Sequence, residues 1–196
     1  MKGSAVIVVK RCDSLDTFFL ICGKSGSGKT TILNRLENSY GLTQLQSYTT
    51  RLPRHAGEGG HIFVSKKEFD LLYPRVAYTN YNGFEYCATI AQVNESDLLT
   101  IDPFGIDFFK KAYTGWKKVK IVYILVSEEE RIARMRRRGD CSEDILKRIA
   151  YDEQLFKGIE NMADVIISNE NLEESVLDLL KYIRLNSERG SSHGIK

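Results

Sequence analysis

Short apolar runs alternate with amphipathic segments along most of the chain. Four runs have the composition of buried strands and lie at 18–22, 98–102, 119–126 and 164–168. Apolar residues at helical spacing follow them, at 31–37, after Pro103, between Ser127 and Gly139, and at 172–185. Strands that alternate with helices in this way predict an α/β fold with a parallel sheet. An apolar run at 5–9 predicts a further strand, whose place in the sheet the pattern leaves open.

A hairpin pattern interrupts this alternation. Asn82-Gly83 stands between the strand patterns 76–81 and 84–89, and this dipeptide favours a tight turn because both of its residues take positive φ. Two shorter strand candidates precede it, at 42–50 and 61–64. The pattern therefore predicts a small antiparallel subdomain inserted into the α/β chain.

Serines open several of the predicted helices. Ser65 to Glu68 and Ser127 to Glu130 each fit a capping box, in which a serine and a glutamate three residues later close the first turn. Ser142 can cap the helix that follows the glycine break at Gly139.

The two helices around that break are rich in arginine. Arg131, Arg134 and Arg138 share one face of the first helix, and Arg148 lies one to two turns into the second. Two helices joined by a short arginine-flanked turn predict a lid that closes over phosphate groups. A solvated basic face is the alternative interpretation.

The segment between the first strand and the first helix carries the clearest chemistry. Gly23 to Thr30 fits G-x-x-x-x-G-K-[ST] at every fixed position, in the strand, loop, helix order that this motif requires. Its backbone N–H groups can surround an anion, Lys29 can reach the β- and γ-phosphates, and Thr30 is the expected Mg²⁺ ligand. We expect ATP and Mg²⁺ here, bound by Ser25, Gly26, Ser27, Gly28, Lys29, Thr30 and Thr31.

Two further groups of polar residues are candidates for substrate binding. Pro53 disfavours a helix at its neighbour, so Arg51 and Arg54 lie on an extended segment and their guanidinium groups can converge on one anion. A solvated basic loop is the simpler alternative. Asp102 ends a buried strand at the edge where α/β sheets bind ligands, or else it caps the next helix.

Composition narrows the class of protein and of partner. The chain has 196 residues, 42% of them hydrophobic, which suits one globular domain. A net charge of +2 is too small to favour nucleic acid or a membrane surface, and no apolar run reaches the ~20 residues of a membrane span. The four cysteines are scattered, which indicates reduced thiols. We expect a cytoplasmic monomer or homodimer that binds small phosphate-bearing molecules, with a flexible tail at 187–196.

From Phe18 to Leu185 the chain resembles the guanylate kinase family. Beyond the phosphate loop, the resemblance rests on Ser47 to Arg54, Gly57-Glu58, Phe63-Val64-Ser65 with Glu68-Phe69, Asn82-Gly83 with Tyr86, Ile101-Asp102 with Gly105, Arg138-Gly139 and Lys147-Arg148. It implies a three-layer P-loop NTPase fold in a single domain over 1–186. The acceptor-binding subdomain would lie at 47–96 and a helical lid at 127–159, with the core at 1–46, 97–126 and 160–186.

The resemblance also implies roles for individual residues. Lys29, Arg138 and Arg148 would stabilise the phosphoryl group in transfer. The acceptor nucleotide would be bound by Ser47 and Asp102 at its base, and at its phosphate by Arg51, Arg54 and Tyr86, together with His61.

Three departures from the family pattern bear on specificity. Ala77 stands where the family has a glutamate that reads guanine, His61 where it has a phosphate-binding tyrosine, and Thr100 where it has an aspartate. We expect an ATP-dependent nucleoside monophosphate kinase acting on GMP or a dGMP-like acceptor. The alternatives are a ribose 1,5-bisphosphate phosphokinase, or a catalytically silent guanylate-kinase-like interaction module, against which the intact Lys29 and Thr30 argue.

Overall fold

The computed structural model describes residues 14–53, 56–81 and 83–188. The predicted strand at 5–9, Arg54, Asn82 and the tail beyond Glu188 lie outside these ranges. Within them, no helix combines the length and the apolar character needed to cross a bilayer.

The described residues form eight β-strands and seven α-helices. In chain order they are β1 (Thr17–Cys22), α1 (Lys29–Tyr40), β2 (Ser47–Thr49), β3 (His61–Phe63), α2 (Lys66–Leu71), β4 (Arg75–Tyr81), β5 (Phe84–Thr89), α3 (Ile90–Glu95), β6 (Leu98–Thr100), α4 (Pro103–Ala112), β7 (Lys118–Leu125), α5 (Glu128–Arg137), α6 (Ser142–Leu155), β8 (Val165–Ser168) and α7 (Leu172–Asn186).

β1 lies inside a parallel sheet of four strands, in the order β6-β1-β7-β8. Leu20 of β1 lies opposite Leu99 of β6 and Ile121 of β7. A parallel strand covered on both faces is apolar along its whole length, and all six residues of β1 are buried. The predicted α/β core is confirmed.

The side chains of β1 alternate between two apolar cores. Phe19 and Ile21 pack in one core with residues of α1 and α7. Phe18 and Leu20 pack in the other, with residues of α4 and of the β4–β5 hairpin. The sheet is therefore a middle layer with a core on each face, which is the three-layer arrangement expected.

The remaining strands form a second sheet in the order β3-β2-β5-β4. β4 and β5 pair antiparallel as far as Tyr81 opposite Phe84, and Gly83 in the turn has a φ of 78°. This confirms the predicted hairpin. β2 pairs antiparallel with β5 but parallel with β3, so the sheet is mixed.

The strand predicted at 42–50 is much shorter in the structure. Only Ser47–Thr49 forms β2, because the preceding residues pair with the other sheet: Gln44 bridges Leu98, and the Leu45 N–H donates to the Leu98 carbonyl at 2.8 Å. The segment thus belongs first to the parallel sheet and then to the mixed one.

One of the predicted helix caps is confirmed and two are wrong. Ser65 and Glu68 form the full capping box at the start of α2. Ser127 makes no side-chain cap bond. The reciprocal bond of the box is also absent, because the Ser127 N–H donates to Glu170 at 3.0 Å while Glu130 binds two arginines of its own helix. Ser142 is the first residue of α6 and Cys141 occupies the cap position, again without a side-chain bond.

α3 was not predicted. It begins with a capping box formed by Thr89 and Gln92, a spacing that is present in the sequence. The strand pattern of β5 runs directly into this helix without a turn residue, which hides the boundary from periodicity.

Candidate active site

The phosphate loop is shaped by close packing against α5 and the end of β8. Gly26 and Gly28 have φ of 78° and 86°, which favours glycine. A Cβ on Gly26 would lie 2.7 Å from the Arg131 carbonyl oxygen, and one on Gly28 would lie 2.4 Å from Asn169 Nδ2. Asn169 Nδ2 also donates to the Ser27 carbonyl at 2.7 Å. The motif glycines therefore allow both the turn and the contact with these neighbouring elements.

Lys29 is the first residue of α1, and its side chain folds back over the loop. The ammonium donates to the Gly23 carbonyl, to the Lys24 carbonyl at 3.2 Å and to Ser27 Oγ at 3.3 Å. Burial lowers the pKa of Lys29 to about 8, while the negative charge of Asp152 acts in the opposite direction. These neutral oxygens are acceptors that an anionic phosphate can outcompete.

A first cavity of about 350 Å³ opens over the loop and the N-terminus of α1. Of the predicted donor-site residues, Gly26, Ser27, Gly28, Lys29, Thr30 and Thr31 line it. We refer to it as the donor cavity, since helix N-termini and loop N–H groups favour anions.

Arg134 of α5 and Arg138, which directly follows this helix, complete the donor cavity. Arg134 donates to the Asn169 carbonyl at 2.7 Å and to Glu130 at 2.8 Å, so it is held beside the loop. Arg138 is exposed and pairs with both carboxylate oxygens of Asp140, which raises the pKa of its guanidinium.

A second cavity of about 280 Å³ lies between the mixed sheet, the end of β6 and α6. Its wall contains Ser25 and Lys29 of the loop and, of the predicted acceptor-site and lid residues, Ser47, His61, Tyr86, Asp102 and Arg148. We refer to it as the acceptor cavity. Lys29 lines both cavities, so they meet at its side chain.

Ser47, His61 and Tyr86 form a polar cluster in the acceptor cavity. Ser47 and His61 are neighbours in the parallel β2–β3 pair, and Ser47 Oγ lies 2.9 Å from His61 Nδ1. The ring of Tyr86 lies 5.4 Å from that of His61. Strand pairing thus brings together residues that are far apart in the sequence.

Arg51 stands behind this cluster and is not among the residues that line the cavity. Its guanidinium makes two bonds to Glu58, at 2.7 and 3.2 Å, and lies 5.2 Å from the centre of the Phe63 ring. Hydrogen bonding to Glu58, with a further contribution from Tyr86, raises the pKa of Arg51. Arg54, its predicted partner, lies outside the described residues.

The hairpin contributes two alanines to the wall of the acceptor cavity, beside Tyr78, Thr79, Tyr86 and Cys87. Ala77 and Ala88 lie opposite each other in the β4–β5 pair, and both are buried in the cavity wall. Asp102 also lines it and caps α4 at the same time, accepting the Gly105 N–H at 2.6 Å. The two interpretations of Asp102, cap and cavity residue, are therefore compatible.

The sequence-based site candidates omit several residues that contact the loop, among them Arg134, Asp152 and Asn169. Arg134 lies one turn before Arg138 on the face already noted, and Asp152 lies one turn after Arg148 on α6. Asn169 directly follows β8, at the carboxyl edge of the parallel sheet. Helical spacing and strand-end position were the signals that could have identified them.

Comparisons with known proteins agree along the length of the chain. The guanylate kinase family model matches residues 16–186. A guanylate kinase of Wolbachia sp. subsp. Brugia malayi is 32% identical over 191 residues, covering 90% of this chain and 95% of that protein. One of Mycoplasmoides gallisepticum is 28% identical over 191 residues, covering 91% and 97%.

The fold has a counterpart among solved structures. The crystal structure of guanylate kinase from Anaplasma phagocytophilum superimposes with a TM-score of 0.61 at 24% identity, covering 86% of this chain and 85% of that one. Since the family model spans the parallel sheet, the hairpin subdomain and both arginine-rich helices alike, the chain belongs to the guanylate kinase family and is an enzyme of the guanylate kinase type.

Proposed function

We propose that the protein transfers the γ-phosphoryl group of ATP to a nucleoside monophosphate, with GMP or dGMP as the expected acceptor. The observation that carries this proposal is the meeting of the two cavities at Lys29. A donor over the phosphate loop and an acceptor in the neighbouring cavity would face each other at one ammonium group. In-line phosphoryl transfer requires the attacking oxygen of the acceptor to face the γ-phosphate of the donor. Its catalysis consists mainly of holding the two in this position and stabilising the developing charge.

On the donor side, the loop N–H groups and the N-terminus of α1 would bind the polyphosphate. Thr30 is exposed at the first turn of α1 in the donor cavity, where its hydroxyl can hold Mg²⁺. Within the described residues no cluster of three His, Cys, Asp or Glu side chains is suited to a metal. Mg²⁺ usually takes few protein ligands and completes its shell with phosphates and water. Bound there, the ion would neutralise charge on the β- and γ-phosphates.

On the acceptor side, we assign the phosphate to Arg51, Arg54, His61 and Tyr86. Arg51 is oriented by its paired bonds to Glu58 and lies beside Tyr86, so its charge stands directly behind the residues that line the cavity. A guanidinium held in this way loses little conformational freedom when it binds a phosphate.

During transfer, three cations would surround the phosphoryl group. Arg138 belongs to the donor cavity, Arg148 to the acceptor cavity, and Lys29 lies between them. Charge spread over the equatorial oxygens of the transition state is stabilised by such preorganised donors, without a general base. Arg138 directly follows α5 and Arg148 lies near the middle of α6, which supports a lid role for the region that joins these helices.

For the base, we assign Ser47 and Asp102 as the polar contacts. Asp102 keeps one carboxylate oxygen beyond the Gly105 bond, and Ser47 offers its hydroxyl beside His61. The methyl groups of Ala77 and Ala88 supply no hydrogen bonds, so we expect weaker discrimination between bases than a guanine-reading glutamate would give.

The proposal is tested by an ADP-release assay with ATP and Mg²⁺ against GMP, dGMP, AMP, dTMP, CMP and ribose 1,5-bisphosphate, with Lys29→Ala as the control. Turnover of one or more nucleoside monophosphates is the expected result. Turnover of ribose 1,5-bisphosphate alone would assign the protein to that reaction instead. Nucleotide binding without any turnover would indicate an interaction module.

A further inference from the structure

Asp152 is a buried acid that the proposed mechanism does not use. It lies on α6 in the wall of the acceptor cavity, and its side chain is only 7% exposed. A carboxylate this buried is costly unless it is paired or hydrogen-bonded. The groups that contact its carboxylate therefore explain how Asp152 can be buried.

The closest contact of Asp152 is with the phosphate loop. Its Oδ2 accepts the Ser25 N–H at 2.6 Å. The buried guanidinium of Arg131 is farther away, at 3.6 Å, and Arg131 NH1 donates to the Ser25 carbonyl at 3.4 Å. The backbone N–H of Ser25 is thus bound by Asp152 of α6, and its carbonyl by Arg131 of α5.

These distances argue against a role limited to neutralising Arg131. Glu153 lies as close to that guanidinium as Asp152 does, at 3.6 Å, and Glu128 lies at 3.7 Å. If neutralisation were the only role of Asp152, its carboxylate would be expected to turn toward the cation. It is instead directed to the loop amide.

The position of Ser25 gives this contact its meaning. N–H groups of a phosphate loop are anion-binding positions. Ser25 lines the acceptor cavity, whereas the loop residues from Gly26 onward line the donor cavity. The donor phosphate nearest to the acceptor is the terminal one, so with a donor bound Ser25 would be the loop residue on the side of the group to be transferred.

We propose that the Asp152 carboxylate occupies an anion position of the phosphate loop and competes there with the terminal phosphoryl group of the donor. Asp152 thereby determines how tightly ATP binds relative to ADP. This inference rests on the proposed function, since it requires a nucleoside triphosphate in the donor cavity. ADP lacks the terminal group and does not contend for the Ser25 N–H.

The test is the ratio of dissociation constants for ADP and for a non-hydrolysable ATP analogue, measured by calorimetry with Mg²⁺. Asp152→Asn keeps the shape and an acceptor oxygen but removes the charge. We expect it to bind the analogue about tenfold more tightly and to change ADP binding by less than about twofold. A merely structural role would change both constants together.

Glu153→Gln is the matched control. Glu153 pairs with Lys24 and lies near Arg131, but it is half exposed and makes no bond to a loop N–H. This variant should leave the ratio as in the unmodified protein. An equal change of both constants in Asp152→Asn, an unchanged ratio, or weaker binding of the analogue would each overturn the inference.

If Asp152→Asn does not fold, the unmodified protein provides the measurement. The amide proton resonance of Ser25 should keep its position when ADP is added and move when the analogue is added. Movement with both ligands, or with neither, would contradict the inference. If neither ligand binds, the proposed function itself fails, so the two failures are distinguishable.

Discussion

The donor and acceptor sides of the site are built in different ways. The donor side is a contiguous loop whose backbone and glycines form the binding surface, with φ values and close contacts that only glycine satisfies. The acceptor side is assembled from side chains of β2, β3, β4, β5, β6 and α6. A backbone site tolerates little substitution, whereas a side-chain site can change its ligand one residue at a time. The departures Ala77 and His61 lie on the second side.

The strongest test of this comparison is Lys29→Ala. Lys29 is the one described residue common to both cavities, so its loss should lower kcat on the order of 10²-fold or more. The melting temperature should change little, because Lys29 belongs to neither apolar core and, within the described residues, its ammonium bonds only to oxygens of the phosphate loop. Steady-state kinetics with a thermal melt measure both quantities, and undiminished turnover would contradict the kinase mechanism.

Arg138→Ala should separate transfer from binding. The guanidinium of Arg138 is exposed in the donor cavity and pairs with the carboxylate of Asp140, two residues further along the chain. We expect kcat to fall about 10- to 100-fold with modest changes in both KM values. The control is Arg136→Ala, because Arg136 is an exposed arginine of α5 that lines neither cavity. Equal losses in the two variants would show a general charge effect.

Arg51→Ala should affect the acceptor side alone. We expect the KM for the acceptor to rise about tenfold and kcat to fall, because the guanidinium of Arg51 orients the attacking phosphate. The affinity for ATP should stay unchanged. Arg54→Ala should behave alike. Arg35→Ala, which removes a surface arginine paired with Glu173, is the control. A weaker ATP affinity in Arg51→Ala would erase the distinction between the two sides.

Ala77→Glu should sharpen the choice of base. A carboxylate facing guanine would form charge-assisted bonds, so kcat/KM for GMP relative to AMP, dTMP and CMP should rise about 10- to 100-fold. Ala88→Ser, on the facing strand, is a neutral comparison in the same wall. A strong preference for GMP in the unmodified protein would show that other residues read the base.

The smallest effect concerns the two predicted capping boxes. Ser65→Ala should lower the free energy of unfolding by about 1 kcal/mol, because the box at α2 is formed. Ser127→Ala should change it by less than about 0.5 kcal/mol, because that side chain makes no cap bond. Denaturant titrations of both variants measure these free energies of unfolding. An equal decrease in the two variants would contradict the cap geometry.

The contrast between the donor and acceptor sides also explains which parts of the site could be predicted from the sequence. The phosphate loop was predictable because its function resides in consecutive residues of one motif. Helical spacing could place Asp152 on the same face as Arg148, but it could not predict the hydrogen bond from Ser25, which lies 127 positions away in the chain. The capping boxes are limited in the same way by distant partners. Ser127 and Glu130 have the correct spacing, yet Glu170, in the segment between β8 and α7, accepts the Ser127 N–H. Local patterns define elements, and distant partners decide which local bond is made.

The burial of Arg131 also limits how the arginine-rich helices can move. Its side chain is 2% exposed, and its carbonyl oxygen packs against Gly26 of the phosphate loop. If α5 swung outward as a rigid body, it would expose a guanidinium and break the contacts to Ser25 and Asp152 together. Gly139, with a φ of 90° and open space around it, lies just past the end of α5. We therefore expect α5 to remain anchored against the loop, and movement to be confined to the turn at Gly139 that carries Arg138 and Asp140.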